Sequence, residues 1–157
     1  MEKKTFLQQA KEEKRSYLLY FLIYCPLGAV APLLGQYLSG IGFSGTQVGI
    51  VTSTGTATAV VAGIFWGKCY ANTAYKRRLI ALLFLASATF AILTLRTTAF
   101  WWYVVLYGAM YAFQGPVHGL CDSFMMDGGR NFPIVRAWGA LGYSVSVYAA
   151  GNYAEVH

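Results

Sequence analysis

Charge is what this chain has least of. Only 11% of its 157 residues are Asp, Glu, Lys or Arg, against about 25% in ordinary soluble domains. From Ser16 to Gly67 there is no Asp, Glu, Lys, Arg or His at all, and a soluble domain of this size has no core able to hide so long an uncharged run. Cysteine is scarce too: Cys25, Cys69 and Cys121 are too few for a disulfide scaffold, lack CxxC spacing, and read as small apolar residues. No HExxH, GxSxG, P-loop or GxGxxG before a helix occurs, and no Cys/His cluster has metal spacing, so neither a catalytic pattern nor a cofactor is implied. What is abundant points one way. A chain 57% hydrophobic and 17% aromatic is not disordered, and 17 glycines without a G-X-Y period are not collagen. The chain is expected in a bilayer. The first 15 residues mix acid and base, and the apolar run behind them exceeds a signal-peptide core, so no cleaved leader is expected.

About 20 apolar residues cross the hydrocarbon. Dividing the chain at its charges and its Gly/Pro punctuation gives five candidate helices, near 16–38, 46–67, 78–96, 100–126 and 133–153, behind an amino-terminal segment 1–15. The fold expected is all-α, a polytopic transmembrane bundle with five membrane-spanning helices. Ser44 with Gln47 has the form of a capping box opening the second helix, Trp101, Trp102 and Tyr103 form an aromatic belt, and Pro133 suits the first turn of the fifth helix. Of the 12 Lys and Arg, all but Arg96 fall on one side of such a bundle: Lys3, Lys4, Lys11, Lys14, Arg15, Lys68, Lys76, Arg77, Arg78, Arg130 and Arg136. The positive-inside rule then makes the amino terminus and the second and fourth loops cytoplasmic. It also accounts for the net charge of +6, so no nucleic-acid partner is needed.

The helices differ in kind. The second carries Gly49, Ser53 and Ala57, then Ala59, Gly63 and Gly67, at four-residue spacing, and the fifth repeats this with Gly142, Ser146 and Ala150; such faces let backbones approach closely. The third, opening Leu79-Ile-Ala-Leu-Leu-Phe-Leu, is bulky and reads as lipid-facing. Pro26, Gly28 and Pro32 weaken the ladder of the first.

In the fourth helix Gln114, His118 and Asp122 recur at intervals of four, which places them on one face. A carboxylate at mid-membrane costs about 2.5–3.5 kcal/mol on insertion scales, so it faces a cavity or a partner; the alternative is that Asp122 lies near the helix end and reaches water while His118 bonds a neighbouring helix. Gly115 and Gly119 leave room beside the stripe. Arg136, one turn into the fifth helix, either pairs with Asp122 across a helix hairpin or anchors at the headgroups. Tyr17, Tyr20 and Tyr24 share one side of the first helix, where they either stack against a sugar or base or simply pack.

Three stretches carry a resemblance: Gly28-x-x-x-Pro32 followed by Tyr37-Leu38 and Gly42-Phe-Ser-Gly45-Thr-Gln47-Val-Gly49; Asp122 in the fourth helix; and Asn131-Phe-Pro-Ile-Val-Arg136-Ala-Trp138-Gly139-Ala-Leu-Gly142-Tyr143. Together, over residues 16–153, they resemble the amino-terminal part of major facilitator superfamily transporters, in the branch of lactose permease-like and nucleoside-proton symporters. The resemblance implies helices one to five of a twelve-helix architecture, with helices one and four lining a central cavity, two and five flanking it and three facing lipid. It also implies that Asp122 and Arg136 contact a polar substrate and that Tyr143 sits near a bound sugar. The superfamily's second-loop signature is only partly present: Gly67 and Lys76-Arg77-Arg78 remain, but Ala71, Asn72 and Ala74 stand where its acid and glycine would be.

The expectation is therefore an incomplete amino-terminal part of a secondary active transporter, coupling a polar solute such as a sugar or nucleoside to protons in the plasma or inner membrane. Its partners would be the lipid bilayer, the solute, protons and the remaining helices. The candidate substrate-binding or proton-coupling residues are Asp122, Arg136, His118, Gln114, Tyr143 and Tyr24. Two rivals stand: a five-span structural or assembly protein, and a membrane-embedded enzyme using His118 and Asp122 as acid and base, which would need a nucleophile or metal set that this chain lacks.

Overall fold

A computed structural model describes the backbone of residues 6–30, 33–128 and 131–156, and side chains within 14–152. Lys3, Lys4, Pro32 and Arg130, named above, lie outside the described residues. The described residues form helices joined by turns: α1 (Phe6–Val30), α2 (Leu34–Gly40), α3 (Gly45–Asn72), α4 (Lys76–Leu95), α5 (Phe100–Asp127) and α6 (Phe132–Val156). Contacts divide the chain into two compact units, residues 1–37 with 125–157, and residues 38–124.

Three stretches are long and apolar enough to cross a membrane: Lys14–Gly40, Gly45–Asn72 and Lys76–Leu95, with mean hydropathies of 1.9, 1.6 and 2.1. α5 and α6, at 28 and 25 residues, are long enough as well, since a helix rises about 1.5 Å per residue. Their polar residues, Gln114, His118 and Asp122 in one and Arg136 and Asn152 in the other, lower their hydropathy. The helix borders differ from those drawn at the charges. α1 begins at Phe6 because Leu7-Gln-Gln-Ala-Lys-Glu-Glu is built of strong helix formers that continue the helix beyond its apolar run. Over the apolar stretch expected as one helix near 16–38, the described residues are helical up to Val30 in α1 and from Leu34 in α2.

In the first unit α1 packs along α6. Tyr17 stacks on Trp138 with ring centroids 6.0 Å apart, and further along α1 Gly28 meets the Tyr143 main chain, so the two helices run in the same direction. Glycine makes the contact. A Cβ at Gly28 would fall on the Tyr143 carbonyl oxygen, and one at Gly142 on that of Phe21. Backbones this close exchange dispersion contacts that lipid tails cannot replace. The Cys25 thiol donates to the Gly142 carbonyl at 3.6 Å.

In the second unit the turn before α3 is fixed by Gly42, whose φ of +95° is a region that L side chains rarely adopt. The capping box is formed: the Ser44 hydroxyl accepts from the Gln47 N–H, and the Gln47 side-chain carbonyl accepts from the Ser44 N–H at 2.8 Å. Thr52, Thr54, Thr56 and Thr58 donate their hydroxyls to carbonyls one turn back, which satisfies them in an apolar medium. α3 meets α5 through Gly55, which lies under the Tyr107 and Tyr111 rings, and through Ala59, which abuts Gly115. This is a different register from the expected one: Ala59 takes part, but Gly49, Gly63 and Gly67 have nothing within 4 Å of where a Cβ would be. α4 presents Leu82, Leu85, Ile92 and Leu95 outward and buries Leu83, Ser87 and Thr94. Its Phe90 stacks on Phe113 of α5 at 5.6 Å and 8°.

Candidate functional site

The first unit contains an open groove of about 340 Å³ between α1 and α6, lined by Tyr24, Leu27, Arg136, Ala140, Tyr143 and Ser144. Its floor follows from the close helix contact. Gly139 lies against the Tyr24 ring, where a Cβ would approach within 2.9 Å of it. Tyr24 is in turn stacked on the buried Tyr20 at 6.1 Å. Arg136, Ala140 and Ser144 follow at intervals of four, so one face of α6 offers a guanidinium, a gap and a hydroxyl in succession. The Arg136 side chain is exposed and passes 5.8 Å from the Phe132 ring. Ser144 donates to the Ala140 carbonyl at 2.9 Å, which leaves the hydroxyl oxygen able to accept. Of the residues singled out from the sequence, Tyr24, Arg136 and Tyr143 line this groove; Leu27, Ala140 and Ser144 line it without having been singled out. The signal for Ser144 was present in its two-turn spacing from Arg136.

The second unit carries the stripe on α5. Gln114, His118 and Asp122 are each half-buried, and the Asp122 carboxylate bears electrostatically on the His118 imidazole one turn away. The room beside the stripe is uneven. Gly115 is closed off by Ala59, whereas the space beside Gly119 is open. Pro116, which the sequence reading passed over, lies within α5 between Gln114 and His118 and has no N–H for the helix ladder. The groove and the stripe belong to different units.

Long apolar helices joined by turns and packed through close glycine crossings define a polytopic helical membrane protein. The chain belongs to the MFS_1 like family, whose model matches residues 15–156. It is 31% identical over 142 residues to a maltose permease of Geobacillus stearothermophilus, an alignment covering 85% of this chain and 35% of that protein. It is 26% identical over 138 residues to the uncharacterized transporter YwbF of Bacillus subtilis (strain 168), with 85% and 35% covered. The chain thus spans about a third of the length of the curated relatives it matches. No solved structure matches significantly. Both relatives are named for transport, one as a permease and the other as an uncharacterized transporter.

Proposed function

We propose that this chain forms part of a secondary active transporter that carries a small polar solute, a sugar or a nucleoside, across the cell membrane together with protons. The observation that carries the reading is the α1–α6 groove, which combines the Arg136 fork, the Ser144 hydroxyl and the rings of Tyr24 and Tyr143. A sugar presents hydroxyls around an apolar ring face, and donors and acceptors set beside aromatic rings match both. The relative named a maltose permease supports the sugar over the nucleoside. Gln114, His118 and Asp122 supply the groups for proton coupling, since ionisable residues in membrane helices mark relays and substrate paths. In such carriers, bundles rock about a midplane site while protonation biases the exchange between states.

The test is uptake of radiolabelled maltose, with a nucleoside in parallel, into membrane vesicles that carry the protein as the cell makes it. Accumulation is expected when an inward proton gradient is imposed, and collapse on adding a protonophore. Accumulation untouched by the protonophore would reject proton coupling, and a nucleoside carried in place of maltose would reassign the solute. Arg136→Lys keeps the charge but loses the planar two-point fork, so a rise in KM of about tenfold is expected, as for the loss of one good hydrogen bond to a charged group. An unchanged KM would place Arg136 outside the site.

The amino terminus is proposed to be cytoplasmic. The distribution of Lys and Arg supports this. Single cysteines at Ser44 and Thr97 are then expected to react with an impermeant thiol reagent in intact cells, and those at Thr73 and Gly128 only after permeabilisation. Reaction at Thr73 in intact cells would reverse the orientation.

A further inference from the structure

The turn between α3 and α4 is more ordered than a marker of membrane orientation requires. Topology is served by any Lys or Arg near the membrane, but here two of the four cations are held in place by aromatic rings. The Lys76 ammonium sits 4.8 Å over the ring of Tyr70, a residue only 6% exposed and so fixed in the core of its unit. The Arg78 guanidinium lies 5.0 Å over the ring of Tyr75, which is 65% exposed. Cation–π seating of this kind holds a flexible side chain while keeping its charge available. Lys68, Arg77 and Arg78 are exposed at the same end of the two helices.

No Asp or Glu occurs from residue 14 to residue 121. Three of the cations occupy the first turn of α4, which contains no acidic residue, and there they add to the positive end of the helix dipole instead of offsetting it. Both flanking stretches are long and apolar enough to cross a membrane, which sets the turn at headgroup depth, and an exposed tyrosine beside Lys and Arg is the composition of that zone.

We propose that Lys68, Lys76, Arg77 and Arg78 form a docking surface for the phosphodiester of an anionic phospholipid in the leaflet that this turn borders. Arg77 and Arg78 supply forks suited to phosphate oxygens, Lys68 and Lys76 supply point charges, and Tyr75 lies among the headgroups. This surface is separate from the α1–α6 groove and does not depend on the transport reading.

The experiment is native mass spectrometry of the purified protein titrated with phosphatidylglycerol or phosphatidylcholine of identical acyl chains. Phosphatidylglycerol is expected to bind at least tenfold tighter. Arg77→Gln should weaken it about fivefold, as expected for one basic residue at an anionic surface, and a combined Lys76→Gln, Arg77→Gln, Arg78→Gln variant should remove the preference. Arg96→Gln, at the far end of α4, should leave it unchanged, and circular dichroism verifies that each variant keeps its helices. Equal binding of the two lipids, or a preference unaltered in Arg77→Gln, overturns the proposal. Displacement of phosphatidylglycerol by millimolar glycerol phosphate would overturn the lipid assignment in favour of a soluble anion.

Discussion

Gly142→Leu is expected to break the α1–α6 pair apart. Adding bulk to a well-packed interior costs about 1–3 kcal/mol when neighbouring side chains can move aside. At Gly142 the obstacle is the Phe21 carbonyl, part of a helix that cannot yield locally, so the expected cost is roughly 3 kcal/mol or more. The neighbouring contact of Gly28 with the Tyr143 main chain would be lost in the same step. The thiol of Cys25, which donates to the Gly142 carbonyl, provides the readout: it should react faster with a thiol dye in the variant, and thermal unfolding in mild detergent should begin well below that of the wild type. Gly151→Ala is the control. It lies in the same helix with nothing within 4 Å of where its Cβ would be, and exchanging glycine for alanine in a helix gains up to about 1 kcal/mol. Equal melting of Gly142→Leu and the wild type would mean that the two helices do not touch there.

That contact shows where sequence reading reaches and where it stops. The helical segments were legible because charge is absent over whole spans, and the start of α3 was legible because Ser44 and Gln47 are both needed for one reciprocal cap. The start of α1 was not, since residues 7–13 are mostly polar yet helix-forming, and the apolar run begins only after them. Of the small residues read as a packing face in α6, Gly142 makes a close helix contact, whereas Gly115 of α5, expected to leave room beside the polar stripe, is closed by Ala59. In α3 small residues occupy several faces at once, so spacing alone was degenerate. The tyrosines of α5 decide the matter: Tyr107 needs a hollow, and only Gly55 and its neighbours provide one in register.

The candidate site divides along the same line. Gln114, His118 and Asp122 share a helix, and the helical period alone puts them on one face. The groove joins Tyr24 and Leu27 of α1 to Arg136, Tyr143 and Ser144 of α6, residues remote in sequence and brought together by the glycine crossing. No local pattern encodes that meeting. Within α6, however, the period that marks Arg136 and Ala140 also marks Ser144.

Asp122→Asn is expected to abolish concentrative uptake while leaving the protein in the membrane. A carboxylate within a membrane helix is costly, and the structure offers this one a specific setting: half-buried, one turn from His118, with open space beside Gly119. Asparagine keeps the size and the hydrogen-bonding carbonyl but cannot take up or release a proton. If Asp122 couples solute to protons, the variant should lose at least tenfold in accumulation under a proton gradient yet retain downhill exchange of solute across the membrane, because exchange needs the binding groups but no net proton movement. Loss of both would make Asp122 a binding group for the solute. His118→Gln separates the two residues of the pair: a coupling role confined to Asp122 predicts near-normal accumulation, whereas a shared relay predicts the same loss as Asp122→Asn. Wild-type accumulation by Asp122→Asn, with normal amounts of protein in the membrane, would show the carboxylate to be a bystander and would return the α5 stripe to a purely structural role.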